Sequence, residues 1–215
     1  MGCSSRYERA AWARGFGRVA GLDEAGRGCL FGPVCAAAVI LDPERPIRGL
    51  NDSKQLEPQR RAVLASRIRE RALAWAVEFV DARTIDRINI LQASRLAMKQ
   101  ALDKLCLQPD YLLVDAVRVD SLIEQLPLIH GDARSFSIAA ASILAKVDRD
   151  AVLAGFDREF PGYGLARNKG YSTPDHLRAL AERGPTPLHR YSYAPVRIAA
   201  GLEPEQLTLL LGDNA

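Results

Sequence analysis

Four carboxylates close apolar stretches in this chain. Asp23 and Glu24 follow Val19-Ala20-Gly21-Leu22 and lead into Ala25-Gly26-Arg27-Gly28. Asp115 follows Tyr111-Leu112-Leu113-Val114, and Asp132 lies in His130-Gly131-Asp132-Ala133. Acids at the ends of strands can converge on one edge of a sheet. Convergent carboxylates repel one another and require a cation, and hard oxygen donors select Mg²⁺ or Mn²⁺. A pair of such ions suits in-line displacement at a phosphodiester, with the interacting acids titrating as a group. For one isolated acid, a helix cap or an exposed strand end is the ordinary explanation. Three separate strand-end acids beside glycines are harder to explain structurally.

Neighbours on a strand face opposite ways. Either the strand stops at Asp23 and Glu24 turns with the glycines, or Asp23 alone is a direct ligand. Gly26-Arg27-Gly28 is a turn that lets main chain approach a ligand closely, and exposed backbone groups can read a 2′-hydroxyl. Arg27 suits a phosphate. Ser53-Lys54 reads equally as a phosphate contact or as a helix cap with a surface lysine, and Lys146 carries the same ambiguity. In Lys169-Gly170-Tyr171, the tyrosine either stacks on a nucleotide or packs into a small local core.

The elements that must position these groups are legible from periodicity. Residues 17–23 and 33–41 read as a hairpin, with further strands at 75–80, 111–115 and 126–130. Helices are expected at 57–73, 85–105, 137–156 and 174–183. The expected core of the second includes Ile88, Leu91, Leu96 and Leu102. The small face Ala139, Ala140, Ala141 and Ala145 predicts close packing of a helix on the sheet beneath the acids. The result is an α/β chain with a mixed five-stranded sheet flanked by helices and a small C-terminal helical lobe. The expected division is a loosely ordered lead-in at 1–16, a catalytic core at 17–160, a substrate-binding lobe at 161–197 and a tail at 198–215.

The bulk numbers agree. The chain has 215 residues and a formal net charge of +3. That length suits one domain with a small appendage. Between Tyr163 and Arg197 six Lys/Arg stand against two acids, a local +4 that suits a polyanion or simply a solvated face. The four cysteines show no metal or C-x-x-C spacing. No signal peptide and no membrane span are read, so a cytoplasmic protein is expected.

Together these segments resemble ribonuclease HII over about residues 17–197. The resemblance rests on Asp23-Glu24-Ala25-Gly26-Arg27-Gly28, Asp52-Ser53-Lys54, Leu113-Val114-Asp115, the block from Gly131 to Val147, Lys169-Gly170-Tyr171 and Gly184-Pro185-Thr186-Pro187, in that order. It implies an RNase H-like fold, two Mn²⁺ or Mg²⁺ ions, hydrolysis of RNA in RNA/DNA hybrids, and incision 5′ of single ribonucleotides in duplex DNA. That incision leaves 3′-hydroxyl and 5′-phosphate ends. By the same implication Asp23, Glu24, Asp115 and Asp132 are catalytic and metal-binding. Gly26, Arg27, Gly28, Ser53, Lys54, Lys146 and Tyr171 are substrate-binding. His130 replaces a lysine usual in the family, and Cys29 and Phe31 also depart from its pattern.

Gln206-Leu207-Thr208-Leu209-Leu210 resembles a peptide that docks on the replication sliding clamp, against the simpler reading of a packed terminal helix. A monomer is expected. Two other classes compete: a non-catalytic hybrid-binding module, which predicts loss of an acid, and another carboxylate-metal nuclease, which leaves Gly26-Arg27-Gly28 and Tyr171 unexplained.

Overall fold

The apolar run Tyr111–Asp115 forms a strand buried on both faces, as a five-residue stretch without polar alternation should. The computed structural model describes residues 3–203. The elements run α1 (Arg6–Ala13), β1 (Val19–Ala25), β2 (Val34–Ile40), α2 (Pro58–Arg71), β3 (Ala74–Val80), α3 (Ala82–Asp103), β4 (Tyr111–Asp115), β5 (Glu124–Leu128), α4 (Phe136–Glu159), α5 (Leu165–Asn168), α6 (Pro174–Arg183) and α7 (Ala194–Ala199). Short 3₁₀ turns cover Ser53–Gln55 and Gly131–Ala133. The sheet order is β3-β2-β1-β4-β5. β1 pairs antiparallel with β2 and parallel with β4, and β4 pairs parallel with β5. This is the expected mixed sheet.

The chain divides into two compact units. The first comprises the residues up to Ala25, Cys35–Phe79 and Ser94–Asp148. The second comprises Gly26–Val34, Val80–Ala93 and the residues from Arg149 on. In the first, β2 residues Cys35, Ala37 and Val39 pack with Ala139–Ala141 and Ala145 of α4. Small side chains on both sides let the helix lie close. Gly21 shows how close: a Cβ there would overlap the main chain of Ser137 and Ile138. In the second, Phe31 is enclosed with Leu153, Tyr163, Leu165 and Ala179.

Three expectations fail locally. Among the described residues, 3–16 are not a loose lead-in. α1 buries Ala11 beside Val19, Tyr111 and Leu113, and its buried Glu8 accepts hydrogen bonds from Ser135 Oγ (2.6 Å) and Ser137 N (2.8 Å). The predicted core of α3 holds only in part: Leu102 is buried and Ile88 and Leu96 are half-buried, but Leu91 faces outward. Asn89 (φ 65°, ψ 163°) breaks the helix, and its Oδ1 caps the next turn by accepting from Gln92 N. Leu91 is 41% exposed, whereas Ala93, Ala97, Met98 and Ala101 are buried. β1 also does not stop at Asp23 but continues to Ala25, still paired with β2. Among the described residues no helix is long and apolar enough to cross a membrane.

Candidate active site

Parallel pairing of β1 with β4 sets Leu22 against Val114, so Asp23 and Asp115 are the next residues on adjacent strands. Asp23 lies on the same face of β1 as Gly21, where α4 approaches, and it hydrogen-bonds Ser142 of that helix. Its Oδ1 also accepts from Glu24 N (2.7 Å). Ser142 Oγ in turn lies 2.9 Å from the buried Ser53 Oγ. Because the strand continues, Glu24 points to the opposite face. The alternative in which the strand stops at Asp23 and Glu24 turns away with the glycines is therefore not the backbone seen here.

Asp115 Oδ1 accepts from Gly131 N at 2.6 Å, which ties the end of β4 to the turn carrying Asp132. A Cβ on Gly131 would meet Ile138 Cδ1 at 2.6 Å and Asp115 Oδ1 at 3.2 Å, so this close approach needs glycine. His130 just before it adopts a left-handed conformation (φ 55°) and is exposed. Asp132 is buried, with Lys54 Nζ 3.6 Å from its Oδ2.

Electrostatics mark this edge as deficient in positive charge. Burial holds the Asp23 carboxyl well above the usual carboxylate range. The charges of Glu24, Asp115 and Asp132 add to the shift, and the Ser142 hydrogen bond opposes it. Asp132 is raised first by burial, then by Asp52, against the pull of Lys54. For Lys54 burial works downward, but Asp132, Asp23, Asp52 and Asp115 together raise it. Asp52 therefore belongs to this electrostatic group, although the sequence offers it only as part of a loop.

Among the described residues no three His, Cys, Asp or Glu side chains are gathered as a ready-made metal cage. The donor chemistry nevertheless fits a hard divalent cation. Asp23 feels the charges of Glu24, Asp115 and Asp132, and the one nearby lysine, Lys54, pairs with Asp132.

The other predicted contacts sort differently. Ser53 is 3% exposed with its hydroxyl turned to Ser142, so it acts as internal support in this structure. Lys54 is largely exposed and Lys146 half-buried. Gly26, Arg27, Gly28 and Tyr171 belong to the second unit. Gly26 (φ 96°) has no room for a side chain, because a Cβ would collide with the Arg149 guanidinium. Gly28 is exposed with open space around its Cα. Cys29 bridges to Tyr171, and Leu30 N donates to Gly170 O (2.7 Å). Tyr171 is 40% exposed as a residue, and burial raises the pKa of its hydroxyl.

Sequence reasoning misses what holds this loop. Arg149 Nε, Nη1 and Nη2 donate to the carbonyls of Pro33 (2.9 Å), Lys169 (2.9 Å) and Phe31 (3.1 Å). Arg190 donates to Gly32 O and Arg27 O, both at 2.9 Å, and Tyr193 Oη also donates to Arg27 O. Both arginines are buried. By sequence Arg190 counts toward the local basic patch, but in the fold it is an internal clamp. Only the structure distinguishes these roles, since both residues look like surface cations in the sequence.

The ribonuclease HII family model matches residues 20–196. Ribonuclease HII of Solibacter usitatus is 62% identical over 195 residues, covering 91% of this chain and 86% of that protein. The solved ribonuclease H2 from Pyrococcus horikoshii is similar at TM-score 0.74 and 27% identity, covering 89% of this chain and 99% of its own. A chain of the PCNA:RNase HII complex from Archaeoglobus fulgidus is similar at TM-score 0.63 and 26% identity, with 80% and 92% covered.

Proposed function

The chain belongs to the ribonuclease HII family and is a metal-dependent endoribonuclease of the ribonuclease H class; from that premise we propose that it also incises 5′ of single ribonucleotides embedded in duplex DNA, leaving 3′-hydroxyl and 5′-phosphate ends. The observation that carries the catalytic assignment is the buried Asp23 carboxyl under the charges of Glu24, Asp115 and Asp132. Asp23, Asp115 and Asp132 would hold two Mg²⁺ or Mn²⁺ ions, with the Glu24 charge adding to the field at Asp23. When bound, these supply Lewis-acid stabilisation of the phosphoryl and leaving 3′ oxygens.

The chain's own groups do the rest. Ser142 and the Glu24 amide hold the Asp23 carboxylate in place, and the Gly131 amide does the same for Asp115. Lys54 offsets part of the negative charge beside Asp132. Gly26 and Gly28 present main chain to the ribose 2′-hydroxyl, Arg27 contacts the scissile phosphate, and Tyr171 packs on the nucleotide after the junction. Lys146 and Lys54 contact backbone phosphates. Ser53, turned inward, supports Asp23 through Ser142.

The test compares a duplex carrying one ribonucleotide with its all-DNA twin, with and without Mg²⁺ or Mn²⁺. Cutting confined to the ribonucleotide and dependent on metal is expected. Equal cutting of both duplexes, or none with any metal, removes the assignment. The candidate clamp peptide Gln206–Leu210 lies outside the described residues. It is proposed to bind a sliding clamp weakly, and a pull-down unaffected by deletion of 204–215 would dispose of that. We further propose a cytoplasmic monomer, for which light scattering should give the mass of one chain.

A further inference from the structure

Two of the three histidines have no part in the chemistry above, yet both are fully buried. His176 lies in the first turn of α6, and His189 follows the turn Gly184-Pro185-Thr186-Pro187. Their Nε2 atoms are 3.2 Å apart. The outer nitrogens fix the proton positions. His189 Nδ1 lies 2.9 Å from Thr186 N, and a backbone N–H can only donate, so Nδ1 accepts. A neutral His189 then carries its proton on Nε2 and donates to His176 Nε2. His176 is left with its proton on Nδ1, which donates to the Tyr171 carbonyl at 2.9 Å. The hydrogen bonds run one way, from Thr186 through His189 and His176 to Tyr171.

The surroundings keep the pair neutral. The Phe31 ring stands edge-on to His189 at 4.8 Å, and the Tyr163 ring lies 5.1 Å from it. Burial lowers the pKa of both imidazoles, and that of His189 falls to about 3 with a further contribution from His176. A second proton on either ring would set two N–H groups against each other. The far end of the chain of hydrogen bonds is equally constrained. Tyr171 O also accepts from Thr173 N (2.8 Å), Tyr171 N donates to Asn168 O (3.0 Å), and Gly170 (φ 80°) has Phe31 O where a Cβ would sit.

We propose that His176 and His189 are positioning residues for Tyr171: a directed pair of neutral imidazoles that links the Gly184–Pro187 turn to the Tyr171 carbonyl and so sets the ring for the nucleotide after a ribonucleotide junction. This rests on the reading of Tyr171 given above. It also gives a purpose to the Gly-Pro-Thr-Pro turn, which the catalytic reading leaves unused.

The test uses the full chain with Mn²⁺, a single-ribonucleotide duplex and a long RNA/DNA hybrid. His176→Phe keeps the ring volume but loses the donor. It should raise KM on the single-ribonucleotide duplex about tenfold, against about twofold on the hybrid, as loss of one buried hydrogen bond allows. His176→Asn retains an N–H at the Nδ1 position and should recover most of that loss. Adding His176→Phe to Tyr171→Ala should cost nothing further. Imidazole ¹⁵N–¹H correlations on the unaltered protein should show His176 protonated at Nδ1 and His189 at Nε2.

The proposal is overturned by the opposite tautomers, by equal losses for Phe and Asn, or by additivity with Tyr171→Ala. It is equally overturned if His176→Phe has no effect while Tyr171→Ala does. An unchanged KM for Tyr171→Ala would overturn the reading of Tyr171 itself, and this inference with it.

Discussion

The carboxylate edge and the glycine-loop region are built on opposite electrostatic plans. At the edge, Asp23 and Asp132 are buried among like charges, and both are pushed toward the protonated form. In the loop region the buried charges are guanidiniums, and each is matched by carbonyls: three for Arg149, and Gly32 and Arg27 for Arg190. The first region carries repulsion that a cation relieves. The second has most of its hydrogen-bonding needs met internally, which fixes the main chain that would meet a substrate. One arrangement leaves electrostatic repulsion unrelieved, and the other matches its charges with main-chain carbonyls.

Substitutions separate the two plans. Asp23→Asn should cut turnover on the order of 10³-fold or more while hybrid binding stays within a few-fold. In metal-free protein the same change should raise stability by about 1 to 3 kcal/mol, because it removes a buried charge from a repulsive cluster. Chemical denaturation checks this, and a destabilised metal-free variant would show that the edge is not under strain. Arg149→Leu should do the reverse. It leaves the carbonyls of Phe31, Pro33 and Lys169 without their donor and should cost about 3 kcal/mol or more. An unchanged midpoint would mean that water replaces the guanidinium freely. Tyr171→Ala should lower kcat/KM on a single-ribonucleotide duplex about tenfold, more than on a long hybrid. Equal losses on both would contradict its assigned contact.

The smallest effect is a difference of sign with pH. The Asp23 carboxyl has a raised folded pKa, so the folded state takes up the proton first and stability rises as pH falls through that pKa toward the ordinary value of 3.8. His176 and His189 have lowered folded pKa values. Below about 6.5 the unfolded chain gains their protons and the folded chain does not. Stability therefore falls from there down to about 3 for His189, by at most about 1.4 kcal/mol per unit for one group. Denaturation curves of Asp23→Asn and of the unaltered metal-free protein between pH 4 and 7 should diverge with the first sign, and parallel curves would refute it.

Much of this is legible in the residues. An unbroken apolar run is enough to place β4, and Pro174 with the Gly184-Pro185-Thr186-Pro187 turn is enough to bound α6. The acids can be grouped because strand ends recur beside glycines. What cannot be read depends on partners distant in sequence. Glu8 is buried only because Ser135 and Ser137 meet it, so α1 has the look of a polar lead-in. Asn89 is ordinary in a helix until its left-handed φ shifts the register, which is why periodicity misplaces Leu91. Arg149 and Arg190 look like solvated cations because main-chain carbonyls leave no mark in a sequence.

The central claim is that Asp23, Asp115 and Asp132 take up divalent ions. Calorimetric titration of Mn²⁺ into the metal-free chain, paired with the same titration of Asp23→Asn, tests it most directly. The account predicts saturable binding to the unaltered protein that is lost or weakened at least about tenfold in the variant. No binding, or identical binding by both proteins, would contradict it.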